Sequence, residues 1–284
     1  MEAQQVNTLI VKRNLSHPKN RGFITQVSRL KGPSNGPRDS DNLIIAFDTS
    51  ERNSTVLLSG HEGSKFRFSS RELSEQQGVK GKLKSTSLAG MIDKVMRDAD
   101  VQETQIETIA LSIGPGTFTG LRVGIVTARM LAWAWERPLI AVNSLEATAN
   151  WLRLQRDLAP GQRVWSVVNA QRKQLFVAGF EVAEDSLIEF QPQKLLSRDD
   201  FLNLIQKADH VTGQGAMDLK SEIENRIEVS LPEPDQACCS ADAVLALARP
   251  RILAEDYDDL WKIEPIYFRP SAAEEVRLAA EKSK

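Results

Sequence analysis

Hydrophobic positions along the chain change period several times, and each change marks an element. Leu43 to Ser50, LIIAFDTS, is a short β-branched and apolar run, followed by STVLLS and, beyond GHEG, by KFRF. Turn-separated runs of this length predict an antiparallel meander. From Ser85 the period becomes helical. Leu88, Met91, Ile92, Val95, Met96 and Ala99 fall at i, i+3, i+4, i+7, i+8 and i+11, which predicts an amphipathic helix over 85–99. ETIALSIG then reads as a buried strand, GPGTFTG as a glycine turn, and Phe118 to Trp135 as a helix that is apolar nearly all round. RPLIAVNS is a further strand, with Ser144 the expected N-cap of the helix LEATANWL.

LAPGQR, Leu158 to Arg163, is the expected boundary between two halves. Beyond it, VWSVVNA and QLFVAGFEV predict a hairpin around QRK, and Ser197 with Asp200 opens a capped helix in SRDDFLNLIQKA. HVTGQGA repeats, more weakly, the strand, glycine turn and helix order of the first half. Strands that alternate with helices after an opening meander predict an α/β architecture with a mixed sheet in each of two lobes, 42–158 and 159–284.

Residues 1–41 stand apart. They carry seven Lys or Arg against three acids, with Gly, Pro, Ser and Asn in KGPSNGPRDSDN, a composition that buries too little apolar surface to offset chain entropy. They read as a disordered basic extension, whether a solvated tail, an over-long start, a transit peptide or a polyanion-binding arm. The whole chain has 284 residues, 41% of them hydrophobic, and a formal net charge of −2. That balance argues against a dedicated nucleic-acid binder. Cys238 and Cys239 are adjacent, a poor geometry for a bridge, which fits a reducing cytosol. No stretch has the uninterrupted apolar length of a membrane span.

The glycine turn and the helix behind it offer competing chemistries. A strand, a glycine turn and a helix N-terminus together make an anion cradle. However, GPGTFTG has no Walker Lys, Gly114, Gly116 and Gly120 miss the G-x-G-x-x-G spacing, and Pro115 lacks an N–H. The turn therefore reads as a packing device. On the helix, Gly120, Gly124, Ala128 and Ala132 form a smooth ridge, while Phe118, Leu121, Ile125, Val126, Met130, Leu131 and Trp133 cover much of the rest. One lobe cannot bury all of it, so a partner surface is expected there. Arg122 and Arg129 lie seven apart with Trp133 a turn further on, a pairing common at interface centres. The alternative is a central core helix with two snorkelling arginines.

IIAFDTS, GPGTFTGLRVGI, PLIAVNSLEA, TGQGA and PIYFR, in this order and spacing, resemble the TsaB (YeaZ) family of tRNA threonylcarbamoyladenosine (t6A) biosynthesis over roughly residues 43–270. The resemblance implies an actin/Hsp70/sugar-kinase-like (ASKHA) α/β fold of two lobes, each with a mixed sheet and flanking helices. It implies a non-catalytic cytoplasmic subunit that pairs with a TsaD-like transferase, alongside a TsaE-like ATPase, for N6-threonylcarbamoylation of adenosine 37 in ANN-decoding tRNAs. ATP would be used by the complex, and no cofactor or metal is assigned to this chain. The partner interface carried over comprises Leu88, Met91, Ile92, Val95, Phe118, Gly120, Leu121, Arg122, Gly124, Ile125, Ala128, Arg129, Ala132 and Trp133, and the same surface would support a homodimer in isolation. A vestigial nucleotide site would comprise Asp48, Thr49, Gly114, Gly116 and Thr117. The chain departs from the family pattern at Lys84, Gly90, Asn169 and Gln174, where relatives have His, Pro and two acids.

The alternative is a stand-alone ATP-dependent enzyme or glycoprotease-like peptidase of the same fold. A metal-holding His-x-x-x-His pair would put both imidazoles on one helix face, and His17, His61 and His210 are too far apart in sequence to form one. Ser112 and Ser144 lack a G-x-S-x-G elbow. A third reading is a direct tRNA binder acting through the basic extension.

Overall fold

The computed structural model describes residues 43–60, 65–70, 87–170, 172–228 and 231–267. The extension over residues 1–41 and Lys84 lie outside these. The first sheet has the order β3-β2-β1-β4-β5, built from β1 (Leu43–Asp48), β2 (Thr55–Ser59), β3 (Lys65–Ser69), β4 (Ile106–Ser112) and β5 (Leu139–Val142). β1 pairs antiparallel with β2 and parallel with β4, so the sheet is mixed. The second sheet, β8-β7-β6-β9, repeats the plan with β6 (Arg163–Asn169), β7 (Gln174–Val182), β8 (Leu187–Ser197) and β9 (His210–Thr212). Here β6 is antiparallel to β7 and parallel to β9. Both sheets thus have an antiparallel meander joined to a parallel partner, as expected for two lobes of related plan.

Period-2 alternation divides the first strand between two cores. Leu43, Ile45 and Phe47 face α1 (Leu88–Asp98) and α2 (Phe118–Trp135). Ile44 and Ala46 face α8 (Ala241–Leu253) and Ala147 of α3 (Ser144–Arg156). The other side of α3 carries Leu145, Ala149 and Leu152 onto Val164, Val168, Ala178 and Phe180 of the second sheet. Helix α3 therefore joins the lobes. The far face of the second sheet is covered by α4 (Arg198–Leu204), α5 (Gln214–Met217) and α6 (Lys220–Glu224), while α7 (Pro234–Ala237) leads back toward the first lobe.

Two differences from the sequence reading have local causes. Asn143, rather than Ser144, caps α3, because its carboxamide oxygen reaches the amides of Leu145 and Glu146 at 2.8 and 3.3 Å. Helix α1 begins at Leu88 with Ser87 as its cap, the side chain accepting from the Gly90 amide. The expected boundary at residue 158 separates the strands of the two sheets, but Ala241–Leu253 returns to complete the first. No helix among the described residues is long and apolar enough to cross a membrane.

Because α8 is an integral wall of the first lobe, Leu245→Ala, at a site 2% exposed, is expected to cost ~2–4 kcal/mol in urea unfolding at unchanged m-value. A loss below ~0.5 kcal/mol, typical of a surface change, would place α8 outside the core.

Candidate functional site

Helix α2 follows the glycine turn and divides into two unlike faces. Leu121, Gly124, Ile125, Ala128 and Ala132 are buried against the first sheet. The small residues bring the helix onto the end of β1. A Cβ at Gly120 would overlap the Thr49 carbonyl oxygen, one at Gly124 the Thr49 hydroxyl, and one at Gly116 the Ser50 carbonyl. The ridge of small residues is thus used inside the lobe, and does not serve as the expected surface for a second backbone. Leu88, Met91, Ile92 and Val95 of α1 are buried in the same core, so these residues too are corrected from interface to interior. Single-stripe periodicity identifies the side that a helix gives to its own sheet.

The opposite face of α2 remains apolar in solvent. Val123, Val126, Met130 and Trp133 are 45%, 59%, 57% and 61% exposed, with Phe118 at 38% at the start of the helix. The ten helical steps from Val123 to Trp133 rise about 15 Å. Four large apolar side chains along that length form a patch of the kind that marks an interaction site. Of the residues expected at a partner surface, Phe118, Arg122 and Trp133 are exposed. Val126 and Met130, named above among the apolar residues that one lobe cannot bury, lie on this face as well, and Val123, not singled out by the sequence, joins them through its apolar character off the buried stripe.

One flank of α2 is bound by the chain after α8. Asp258 accepts from the Ala141 amide at 2.7 Å and pairs with Arg251 at 3.1 Å, and the Ile266 amide donates to the Ile113 carbonyl at 2.9 Å. Between these points, Arg129 donates to the carbonyls of Leu260 and Trp261. Tyr267 stacks on Phe118 with centroids 5.1 Å apart and accepts from Arg122 Nε at 2.9 Å. Arg129 is therefore a structural tie, half-buried, while Arg122 stays exposed.

At the other end of the turn lies a buried polar cluster. Asp48, fully buried, accepts through Oδ1 from the Ser50 amide at 3.1 Å, the Ser50 hydroxyl at 2.6 Å and the Ser112 hydroxyl. These bonds join β1, its following turn and β4. The Thr117 amide donates to the Ser50 carbonyl at 2.6 Å, and the Gly114 carbonyl accepts from the Ser144 amide at 2.9 Å. Among the described residues, Asp48 Oδ2 and Thr49 Oγ1 are buried without a nitrogen or oxygen partner. The five residues Asp48, Thr49, Gly114, Gly116 and Thr117 are brought together, and the bonds of Asp48, Gly114 and Thr117 run mainly to Ser50, Ser112 and Ser144. Ser50 packs against Gly116 and takes the Thr117 amide that a phosphate at this turn would need, so this set does not fit a nucleotide.

Glu51 lies beside this cluster. Its carboxyl is pushed up from 4.5 to about 7 by burial first and by the Asp48 charge second, against bonds from Cys238 and from the Cys239 amide at 3.1 Å. Burial likewise pushes the Cys239 thiol up, so it is not an activated nucleophile. Asn169, one of the departures, donates to Asp218 at 2.5 Å, and Gly90 is exposed on α1. His210 opens β9, buried, its ring pushed down by burial and by Arg156.

The model of the family described as "TsaD: tRNA N6-adenosine threonylcarbamoyltransferase" matches residues 72–251, more than half of the chain. A relative in Bacillus subtilis, "tRNA threonylcarbamoyladenosine biosynthesis protein TsaB", is 26% identical over 119 residues, 42% of this chain. The match spans 49%, about half, of that relative's length. The protein of the same description in Haemophilus influenzae is 27% identical over 237 residues, 80% of this chain and 93% of the relative. The solved structure "YeaZ from Pseudomonas aeruginosa" superposes with a TM-score of 0.61 over 80% of this chain and 100% of that one, at 22% identity, and shares the fold. The resemblance to TsaB (YeaZ) and the two-lobed α/β class both stand.

Gly120→Ala is expected to lose ~1–3 kcal/mol, because backbone must move to admit the methyl group, and differential scanning calorimetry measures the loss. Glu51 titrates from 4.5 in the unfolded chain to about 7 in the folded one, so the native state holds the extra proton between these values and stability falls as pH rises through that window. Glu51→Gln should therefore gain on the order of 1–3 kcal/mol relative to wild type at pH 8 compared with pH 4. Parallel stability–pH curves for the two proteins would contradict this.

Proposed function

The chain belongs to the family described as TsaD, tRNA N6-adenosine threonylcarbamoyltransferase, and from that membership we propose that it is a TsaB-like subunit that binds and stabilises a catalytic, TsaD-like partner in t6A synthesis. The observation that carries the reading is the apolar outer face of α2. Val123, Val126, Met130 and Trp133 expose a contiguous surface that costs free energy in water and is recovered by burial against a second subunit. The helix is fixed underneath by its glycine contacts and along its flank by Arg129, so little conformational entropy remains to be lost on docking.

The chain's own polar residues fit a subunit that supports transfer without performing it. Asp48 spends Oδ1 on Ser50 and Ser112, and the amide of Thr117 is spent on Ser50. In this reading ATP is consumed elsewhere in the assembly, with a TsaE-like ATPase as third component, and tRNA is reached through the complex in the cytoplasm. Without its partner, the same α2 face drives self-association into a homodimer.

Val126→Glu tests the proposal. At 59% exposure the substitution should change stability by no more than ~0.5 kcal/mol, yet place a charge in the centre of the docked face and weaken binding of the transferase subunit at least about tenfold by isothermal titration calorimetry. Wild-type affinity in that variant, together with undiminished t6A in cellular tRNA, would refute the assignment of α2.

A further inference from the structure

Arg122 differs from Arg129, the other cation on α2. Its guanidinium carbon lies 3.8 Å from the Phe118 centroid and 5.8 Å from that of Tyr267. Its Nε donates to the Tyr267 hydroxyl at 2.9 Å, and the two rings stack on each other at 27°. Among the described residues, no carboxylate pairs with it, and both terminal nitrogens are left unengaged. A guanidinium has five N–H donors in a fixed fork, and here one is used. By contrast Arg129, a similar distance from a ring of its own, Trp261, at 5.9 Å, directs two nitrogens to backbone carbonyls.

Resting on the reading that a protein covers the outer face of α2, we propose that Arg122 is a specificity-determining residue of that interface and that the covering partner sets a carboxylate against its fork. Arg122 is exposed at the edge of the patch formed by Val123, Val126, Met130 and Trp133. Any surface that covers those side chains removes water from Arg122 as well. A desolvated cation without an acceptor is costly, and a planar carboxylate accepts two parallel bonds from the terminal nitrogens. The stack with Phe118 and Tyr267 aims the fork before the partner arrives, so less side-chain freedom is lost on binding. An RNA phosphate has matching acceptors, but it would bring a hydrated backbone against Val126 and Met130. The apolar surroundings favour a protein, an apolar helix or loop with an Asp or Glu among its contacts. Tyr267 is a positioning residue in this arrangement, acting through Arg122.

Calorimetric titration of the purified TsaD-like subunit with the full chain, at about 50 and 500 mM NaCl, separates the outcomes. Arg122→Met retains the stem and removes the charge. It should bind ~10–100-fold more weakly and lose most of the salt dependence seen with wild type. Arg122→Lys, which keeps the charge and loses the fork, should recover only part of the affinity, and Tyr267→Phe, which keeps the stack, should bind ~2–5-fold more weakly. Circular dichroism melts confirm that each variant is folded. Wild-type binding that Arg122→Met leaves unchanged, in affinity and in salt dependence, overturns the carboxylate assignment alone. Failure of wild type to bind the transferase overturns the preceding reading and this one together. A gel-shift titration with bulk tRNA supplies the other arm: tRNA binding lost in Arg122→Met while transferase binding persists would assign the fork to phosphate and overturn the proposal.

Discussion

The close approach of α2 to the end of β1 is the constraint from which the rest of the molecule follows. Gly116, Gly120 and Gly124 place backbone and hydroxyl atoms of Thr49 and Ser50 where side chains would otherwise stand. With the helix held that near, Leu121, Ile125, Ala128 and Ala132 complete the core of the first lobe. The inner half of an apolar helix then has all the contact it needs. Its outer half, also largely apolar, is touched along one flank by the segment from Leu260 to Tyr267, and Val123, Val126, Met130 and Trp133 are left exposed.

The same contact accounts for the polar cluster at the turn. Once α2 is seated, the strand-end acid Asp48 is sealed from solvent, and its charge needs donors that move with it. Ser50 and Ser112 supply them from the following turn and from β4. Glu51, the residue after Ser50, is buried beside Asp48, and burial first and the Asp48 charge second raise its proton affinity against the bonds from the Cys239 amide and the Cys238 thiol. Residues that could have formed a ligand site act instead as a latch between two strands and the chain returning from the second lobe.

Most of the architecture was legible because it rests on periodicity. The meander from Leu43, the helix through Met91 and Val95, the buried strand before Gly114 and the hairpin around residue 171 all have short-range signatures. Several elements were not, β8 and α8 being the longest of them. Strand β8, LIEFQPQKLLS, is an edge strand whose residues are half-buried or exposed and which contains Pro192, so no alternation marks it. Helix α8, with Pro250 inside and apolar residues on several sides, gives little amphipathic signal because it is buried between α3 and the first sheet. The exposed apolar face of α2 was legible in kind but not in detail. Surplus apolar residues on α2 indicated that a face must be exposed, while the direction of that face depends on Thr49, seventy residues away in sequence. Only the fold decides which stripe points inward.

The flank of α2 shows how a surface becomes specific as well as apolar. An apolar face alone would bind many surfaces weakly. The segment from Asp258 to Tyr267 adds orientation: Asp258 anchors it to β5, Ile266 to the end of β4, and Arg129 holds its middle. Tyr267 arrives at the first turn of α2 with its ring already placed against Phe118. Arg122 is then fixed between a ring of its own helix and a ring from the C-terminal end of the described residues, so its aim beside the patch depends on that segment being in place. A partially folded chain would expose the grease without the oriented guanidinium, and a partner that requires both would pass it over.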